Sequence, residues 1–151
     1  MKNEPAVERS VTGATAVLSV SPVREDQPVL ESASGHSGCK LYRAAGIQSA
    51  LAILRQRNVA VVLCEDRLSP GTWVDMLERL RLLPDPPPLI VTSRVADERL
   101  WIEALNLGAY DVLAKPLVFR EVVRSLDLAW SHWVHRRDSL PDRASVMRAA
   151  G

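Results

Sequence analysis

The chain has 151 residues, 47% hydrophobic and 25% charged, which is one domain's length with enough apolar side chain for a core. Its 19 Lys and Arg against 18 Asp and Glu leave a formal charge of +1, too even for a general grip on nucleic acid or an anionic membrane. No apolar run reaches the ~18 residues of a membrane span, and the charged start (Lys2, Glu4, Glu8, Arg9) has no signal-peptide core. Cys39 and Cys64 make neither a disulfide framework nor, with His36, His132 and His135, a clustered zinc site. A reduced, cytoplasmic, single-domain protein is expected.

Residues 1–14 are polar and aperiodic, and are expected to be a flexible lead-in. Thr15 to Val20 is a strand-length apolar run closed by Ser21-Pro22. Asp26 is placed to cap a helix with Pro28 in its first turn, ending near Gly35 or Gly38. Cys39 to Arg43 alternates like a strand, and Ile47 to Arg57 sets Ile47, Leu51 and Leu54 on one helical face. Val59 to Cys64 is β-branched and apolar, as a strand buried on both faces should be.

Thr72, with Asp75 three residues on, starts a helix whose stripe is Trp73, Met76, Leu77, Leu80 and Leu83. Pro84-Asp85-Pro86-Pro87-Pro88 is a stiff loop. Leu89 to Thr92 is a fourth strand, and Asp97 to Leu107 a helix with stripe Leu100, Trp101, Ala104 and Leu107, stopped by Gly108. Tyr110 to Ala114 is a fifth strand. Phe119 to Val134 is a helix with Phe119, Val122, Val123, Leu126, Trp130, Trp133 and Val134 in one arc. Residues 135–151 read as a flexible tail, whose arginines are diluted by Asp138 and Asp142. Five strands alternating with five helices over 15–134 predict a doubly wound parallel sheet of flavodoxin-like (βα)5 form.

In such sheets function gathers at the carboxyl ends of the strands. Those ends carry Ser21 and Pro22, Glu65 and Asp66, Ser93, and Lys115-Pro116. A carboxylate, a hydroxyl and a lysine at one rim are the groups that bind and neutralise an anion. Cys64, at the end of an apolar strand, reads as a small packed hydrophobe rather than a redox sensor.

Here the chain resembles the receiver domain of bacterial response regulators, across about residues 15–134. Pro88-Leu-Ile-Val-Thr-Ser93 is similar to the fourth strand with its switch hydroxyl. Gly108-Ala-Tyr-Asp-Val-Leu-Ala-Lys-Pro116 is similar to the fifth-strand signature with its Lys-Pro pair. The resemblance implies the strand order 2-1-3-4-5, a cis Lys115-Pro116 bond, and phosphoryl transfer from a histidine kinase to an aspartate after the third strand. It also implies Mg²⁺ held partly by an acidic pair after the first strand.

The chain departs from that pattern. Ser21 and Pro22 stand at the acidic pair, so no metal or other cofactor is expected; Glu25 and Asp26 are expected to point away as the start of a helix. At the acceptor position one frame puts Glu65 and a rival frame, anchored on Pro70, puts Asp66. Glu65 is preferred because it directly follows the apolar strand, and alternation allows only one of the two to face the rim unless a bulge intervenes. Glu65 would then pair with Lys115 and accept from Ser93. Val112 stands where the family often has an aromatic switch residue.

The last helix, about 24 Å long at 1.5 Å per residue, is expected to overhang the sheet. Ile102, Leu128 and Trp133, with Val112 on the neighbouring strand, are therefore expected to mark a partner face, the family's usual one. The leading expectation is a stand-alone, degenerate receiver, not an enzyme, acting by contact with a histidine kinase, a downstream signalling protein or a second copy of itself. The alternative is a conventional Mg²⁺-dependent phosphoacceptor using Asp66, with metal from Glu25 or Asp26. A flavodoxin-like small-ligand domain ranks last, because no Gly-rich loop follows the first strand. The short stretch after the last helix is not expected to hold a helix-turn-helix.

Overall fold

Five parallel strands carry the predicted alternation into space. The computed structural model describes residues 15–139, with side chains to residue 136. The order is β1 (Ala16–Val20), α1 (Gln27–His36), β2 (Lys40–Ala44), α2 (Ile47–Gln56), β3 (Val59–Glu65), α3 (Trp73–Leu80), β4 (Leu89–Ser93), α4 (Glu98–Leu107), β5 (Asp111–Ala114) and α5 (Phe119–Ser139). The sheet order is β2-β1-β3-β4-β5, as the resemblance implied. No helix among the described residues is long and apolar enough to cross a membrane.

The alternation of side chains along each strand divides the core between the two faces of the sheet. Leu18, Val62, Cys64 and Val91 pack on one face with Trp73, Met76 and Leu80 of α3. Val17, Val61, Leu63 and Ile90 pack on the other with Leu30 of α1 and Val122, Leu126 and Trp133 of α5. The central strands β1, β3 and β4 are buried on both faces apart from Glu65, which explains their nearly unbroken apolar runs. Strand β2, at an edge, begins exposed at Lys40.

The predicted caps are met in part. Thr72 Oγ1 accepts from Val74 N at 3.2 Å, and Asp75 Oδ2 accepts from Thr72 N at 2.8 Å, the reciprocal box. Asp97 caps α4 by accepting from Leu100 N at 2.9 Å. Asp26 occupies the cap position of α1, with Pro28 in the first turn, but its side chain accepts no capping bond. Its carboxylate is turned to a lysine instead.

Two apolar arcs are narrower than their periodicity suggested. On α4 only Ala104 is buried, while Trp101 is 37% exposed and Leu107 36%. Strand β5 is the sheet's edge, and α4 has too little sheet beneath it to cover a broader stripe. Phe119 at the start of α5 is 41% exposed, set edge-on to His36 with centroids 5.7 Å apart.

Helix α5 runs five residues past its expected end at Val134, so part of the expected tail is helical. Arg136 donates to Asp85 Oδ1 at 3.2 Å and to the Pro86 carbonyl, tying those extra turns to the proline-rich loop. Residues 1–14 and 140–151 lie outside the described residues.

Gly108 ends α4 at φ +105°, the left-handed C-cap the sequence anticipated. A Cβ there would meet the guanidinium of Arg81, which donates to the Leu107 carbonyl. The guanidinium is flexible enough to move, but the backbone strain is not relieved by that. Gly108→Ala is expected to lower stability by about 1–2 kcal/mol in urea denaturation; an unchanged midpoint would contradict the left-handed cap.

Candidate functional site

The strand order reverses between β1 and β3, so their carboxyl ends open a crevice at the rim. The β1–α1 loop supplies Ser21, Glu25 and Asp26. The end of β3 supplies Glu65 and Asp66, the end of β4 Ser93, and the β5–α5 loop Lys115. Pro22, Val23, Arg67, Arg94 and Val95 line the groove over them.

Lys115 is the centre of this arrangement. Its side chain is 1% exposed, and Nζ lies 2.7 Å from Glu65 Oε1, 2.8 Å from Asp26 Oδ2 and 3.1 Å from Glu25 Oε2. Three carboxylates thus accept from the three ammonium hydrogens, which satisfies a buried cation that would otherwise be costly. Burial alone would drive the ammonium's pKa down. The hydrogen bonds it donates to Asp26, Glu65 and Glu25 outweigh it and hold the pKa above the usual lysine value. Glu25, hydrogen-bonded by Lys115 and then by Arg94, is held below the ordinary carboxylate range. The Lys115-Pro116 peptide is cis, as expected, and Ser69-Pro70 is cis as well.

The expectation that Glu25 and Asp26 point away is therefore corrected. A helix-start aspartate usually accepts from its own backbone, but here the buried Lys115 ammonium is the stronger donor within reach. The expected division of labour between Glu65 and Asp66 is corrected too, since both reach the rim. Glu65 is the last residue of β3 and Asp66 lies beyond it, where strand alternation no longer applies. Glu65 takes Lys115, whereas Asp66 Oδ2 accepts from Ser93 Oγ at 2.9 Å, so Ser93 does not bond Glu65. Ser93 Oγ in turn accepts from Val95 N at 2.9 Å.

Ser21 Oγ stands 3.2 Å from both Glu65 Oε1 and the Val23 carbonyl, with one proton to donate, and accepts from Val23 N at 3.2 Å. Pro22 contributes no side-chain donor. Where the carboxylates converge sits the Lys115 ammonium, and the described residues contain no group of three or more His, Cys, Asp or Glu arranged to hold a metal ion. Cys64 is buried; that burial, followed by the charges of Glu65 and Asp66, raises its thiol far above the usual range, so no reactive thiolate sits at the rim.

Sequence reasoning missed Arg43, whose Nη2 donates to the carbonyls of Val23 at 3.1 Å and Ser21 at 3.3 Å. It reads as one polar position in an alternating edge strand, and nothing in its spacing points to the neighbouring loop.

The expected partner face divides. Ile102 and Leu128 are 53% and 55% exposed, but Val112 is 3% and Trp133 6% exposed. Val112 faces the core cluster that holds Ala104, and Trp133 packs with Leu30 and Leu126, which takes both off the surface.

Comparison with known proteins agrees with the fold. The profile of the response regulator receiver domain matches residues 25–127. The transcriptional regulatory protein ZraR of Salmonella typhimurium is 28% identical over 97 residues, covering 64% of this chain and 22% of that protein. Its Klebsiella oxytoca namesake is 30% identical over 95 residues, covering 60% and 21%. The chain thus spans about a fifth of the length of these relatives. The signal receiver domain of an HD domain-containing protein from Pseudomonas fluorescens Pf-5 superposes with a TM-score of 0.74 at 23% identity, over 84% of this chain and 94% of that one. The chemotaxis response regulator CheY4 of Vibrio cholerae superposes at 0.68 and 17%, over 77% and 98%. With the profile spanning more than half of its length, this chain belongs to the response regulator receiver domain family of two-component signalling.

Proposed function

We propose that this receiver domain is degenerate: it works by protein–protein contact, with little or no phosphorylation and without a metal cofactor. The observation that carries the reading is the closure of Glu25, Asp26 and Glu65 on the buried Lys115 ammonium. An acceptor carboxylate of the family must be free to attack a phosphoryl group while a metal neutralises the charge. Here Glu65 is already neutralised by an internal cation, and the pair of positions after β1 holds Ser21 and Pro22. A carboxylate set permanently against the lysine supplies the charge that phosphorylation would otherwise add.

The partner is then a histidine kinase or a downstream signalling protein, or a second copy of the chain, and nucleic acid is not a partner. The curated relatives are transcriptional regulatory proteins, and a place in such a regulatory system suits a module of this kind.

Intact mass after incubation with Mg²⁺ and acetyl phosphate tests the reading, with Glu65→Gln and Asp66→Asn alongside. No phosphoryl adduct is expected in any of the three. The Ser93–Asp66 hydrogen bond favours one competing reading, in which Asp66 is the acceptor beside its switch hydroxyl. An adduct present in the wild type and lost only in Asp66→Asn would establish that alternative.

A further inference from the structure

The lock on Lys115 depends on a loop that has little apolar anchorage of its own. Residues 22–25 are all exposed, and Val23, the loop's large hydrophobe, is 43% exposed. Pro22 has no N–H to donate, and the Val23 N–H is spent on Ser21 Oγ. Yet Glu25, at the end of this stretch, and Asp26 beyond it must hold their carboxylates within 3.1 Å and 2.8 Å of one nitrogen.

We infer that Arg43 is the positioning residue that sets this loop, and with it two of the three carboxylates, against Lys115. The inference rests on the locked reading of the rim. Arg43 stands next to last in β2, beside Ser19 in the parallel register, half-buried between the edge of the sheet and the loop. A single terminal nitrogen, Nη2, bonds the carbonyls of both Ser21 and Val23, one on each side of Pro22. Its two hydrogens gather carbonyls that would otherwise diverge, and the charge-assisted bonds are stronger than any the loop makes with itself. The guanidinium thus ties the chain on both sides of Pro22, the second tie two residues before Glu25. A second strap lies just beneath, where Ser21 N donates to the Ala44 carbonyl at 2.9 Å, so the end of β2 fixes the exit from β1 at two successive residues. Arg43 touches none of the carboxylates in these bonds; it acts through the backbone that carries them.

The test follows the ammonium hydrogens of Lys115 by NMR in the full chain. Their exchange with water is slow only while all three carboxylates hold them. Arg43→Met keeps the aliphatic stem and removes the guanidinium. It is expected to speed that exchange roughly tenfold, because two of three charge-assisted bonds loosen, with the circular dichroism spectrum unchanged. Arg43→Lys, which can still reach one carbonyl, is expected to recover part of the protection. Should Arg43→Met fail to fold, Arg43→Leu, which also carries no donor, is read in the same way. Wild-type protection retained in the guanidinium-less variant overturns the inference while leaving the lock intact. Fast exchange in the wild type itself overturns the lock, and the inference with it.

Discussion

Lys115→Met is expected to destabilise the domain by about 3–5 kcal/mol in urea denaturation at neutral pH, the cost of leaving buried charges without their partner. The substitution keeps most of the side-chain volume, so the loss is electrostatic rather than a cavity. Glu65 and Asp26, 12% and 14% exposed, are left facing each other across the space of the missing ammonium. Glu25, 42% exposed and still paired with Arg94, contributes little to the penalty because solvent screens it. Glu65→Gln, which removes one carboxylate and leaves Lys115 two, is expected to cost only about 1–2 kcal/mol.

The pH dependence separates this explanation from a packing defect. Lys115 is raised above the ordinary lysine value, so its contribution is complete below that value and is lost only as pH rises through the raised one. Glu25 is lowered, so its contribution is complete above the ordinary carboxylate value and is lost as pH falls through the depressed one. The contributions of Lys115 and Glu25 are therefore both complete from about pH 5 to about pH 10. In Lys115→Met the carboxylates repel one another, and protonation relieves them. The stability gap to the wild type is expected to narrow as pH is lowered from 7 to 4. A gap that stays constant over that range would assign the loss to packing and remove the electrostatic account of the lock.

How far the sequence revealed this site depended on which residues obey local rules. The strands β3 and β4 were legible because burial on both faces leaves almost no choice but apolar residues. Ser21, Glu65, Ser93 and Lys115 were legible as rim residues because each follows such a run. Glu25 and Asp26 were misjudged because capping is a local rule, and a buried cation brought from the β5–α5 loop overrides it. Arg43 was invisible for the same reason, since its partners lie on a loop twenty residues earlier. The exposed Trp101 and Phe119 show a different limit: periodicity marks an apolar arc but not how much of the sheet lies opposite.

Trp133→Ala is expected to cost about 3–5 kcal/mol in denaturation, whereas Leu128→Ala on the same helix should change stability by less than about 0.5 kcal/mol. The length of α5 suggested that its last turns, and Trp133 with them, would overhang and seek a partner. The extra length is used differently. Helix α5 continues to Ser139, and Arg136 pins it to Asp85 and Pro86 of the loop before β4. Between that pin and the sheet, Trp133 is enclosed at 6% exposure in the cluster with Leu30, Ala33, Leu126 and Ala129. Its removal empties a space that α1 and α5 cannot collapse into, because both are held on the strands beneath them. Leu128 points the other way, 55% exposed, and loses little when shortened. Near-equal effects of the two substitutions would mean that Trp133 is on the surface after all, restoring it to the partner face from which its burial removes it.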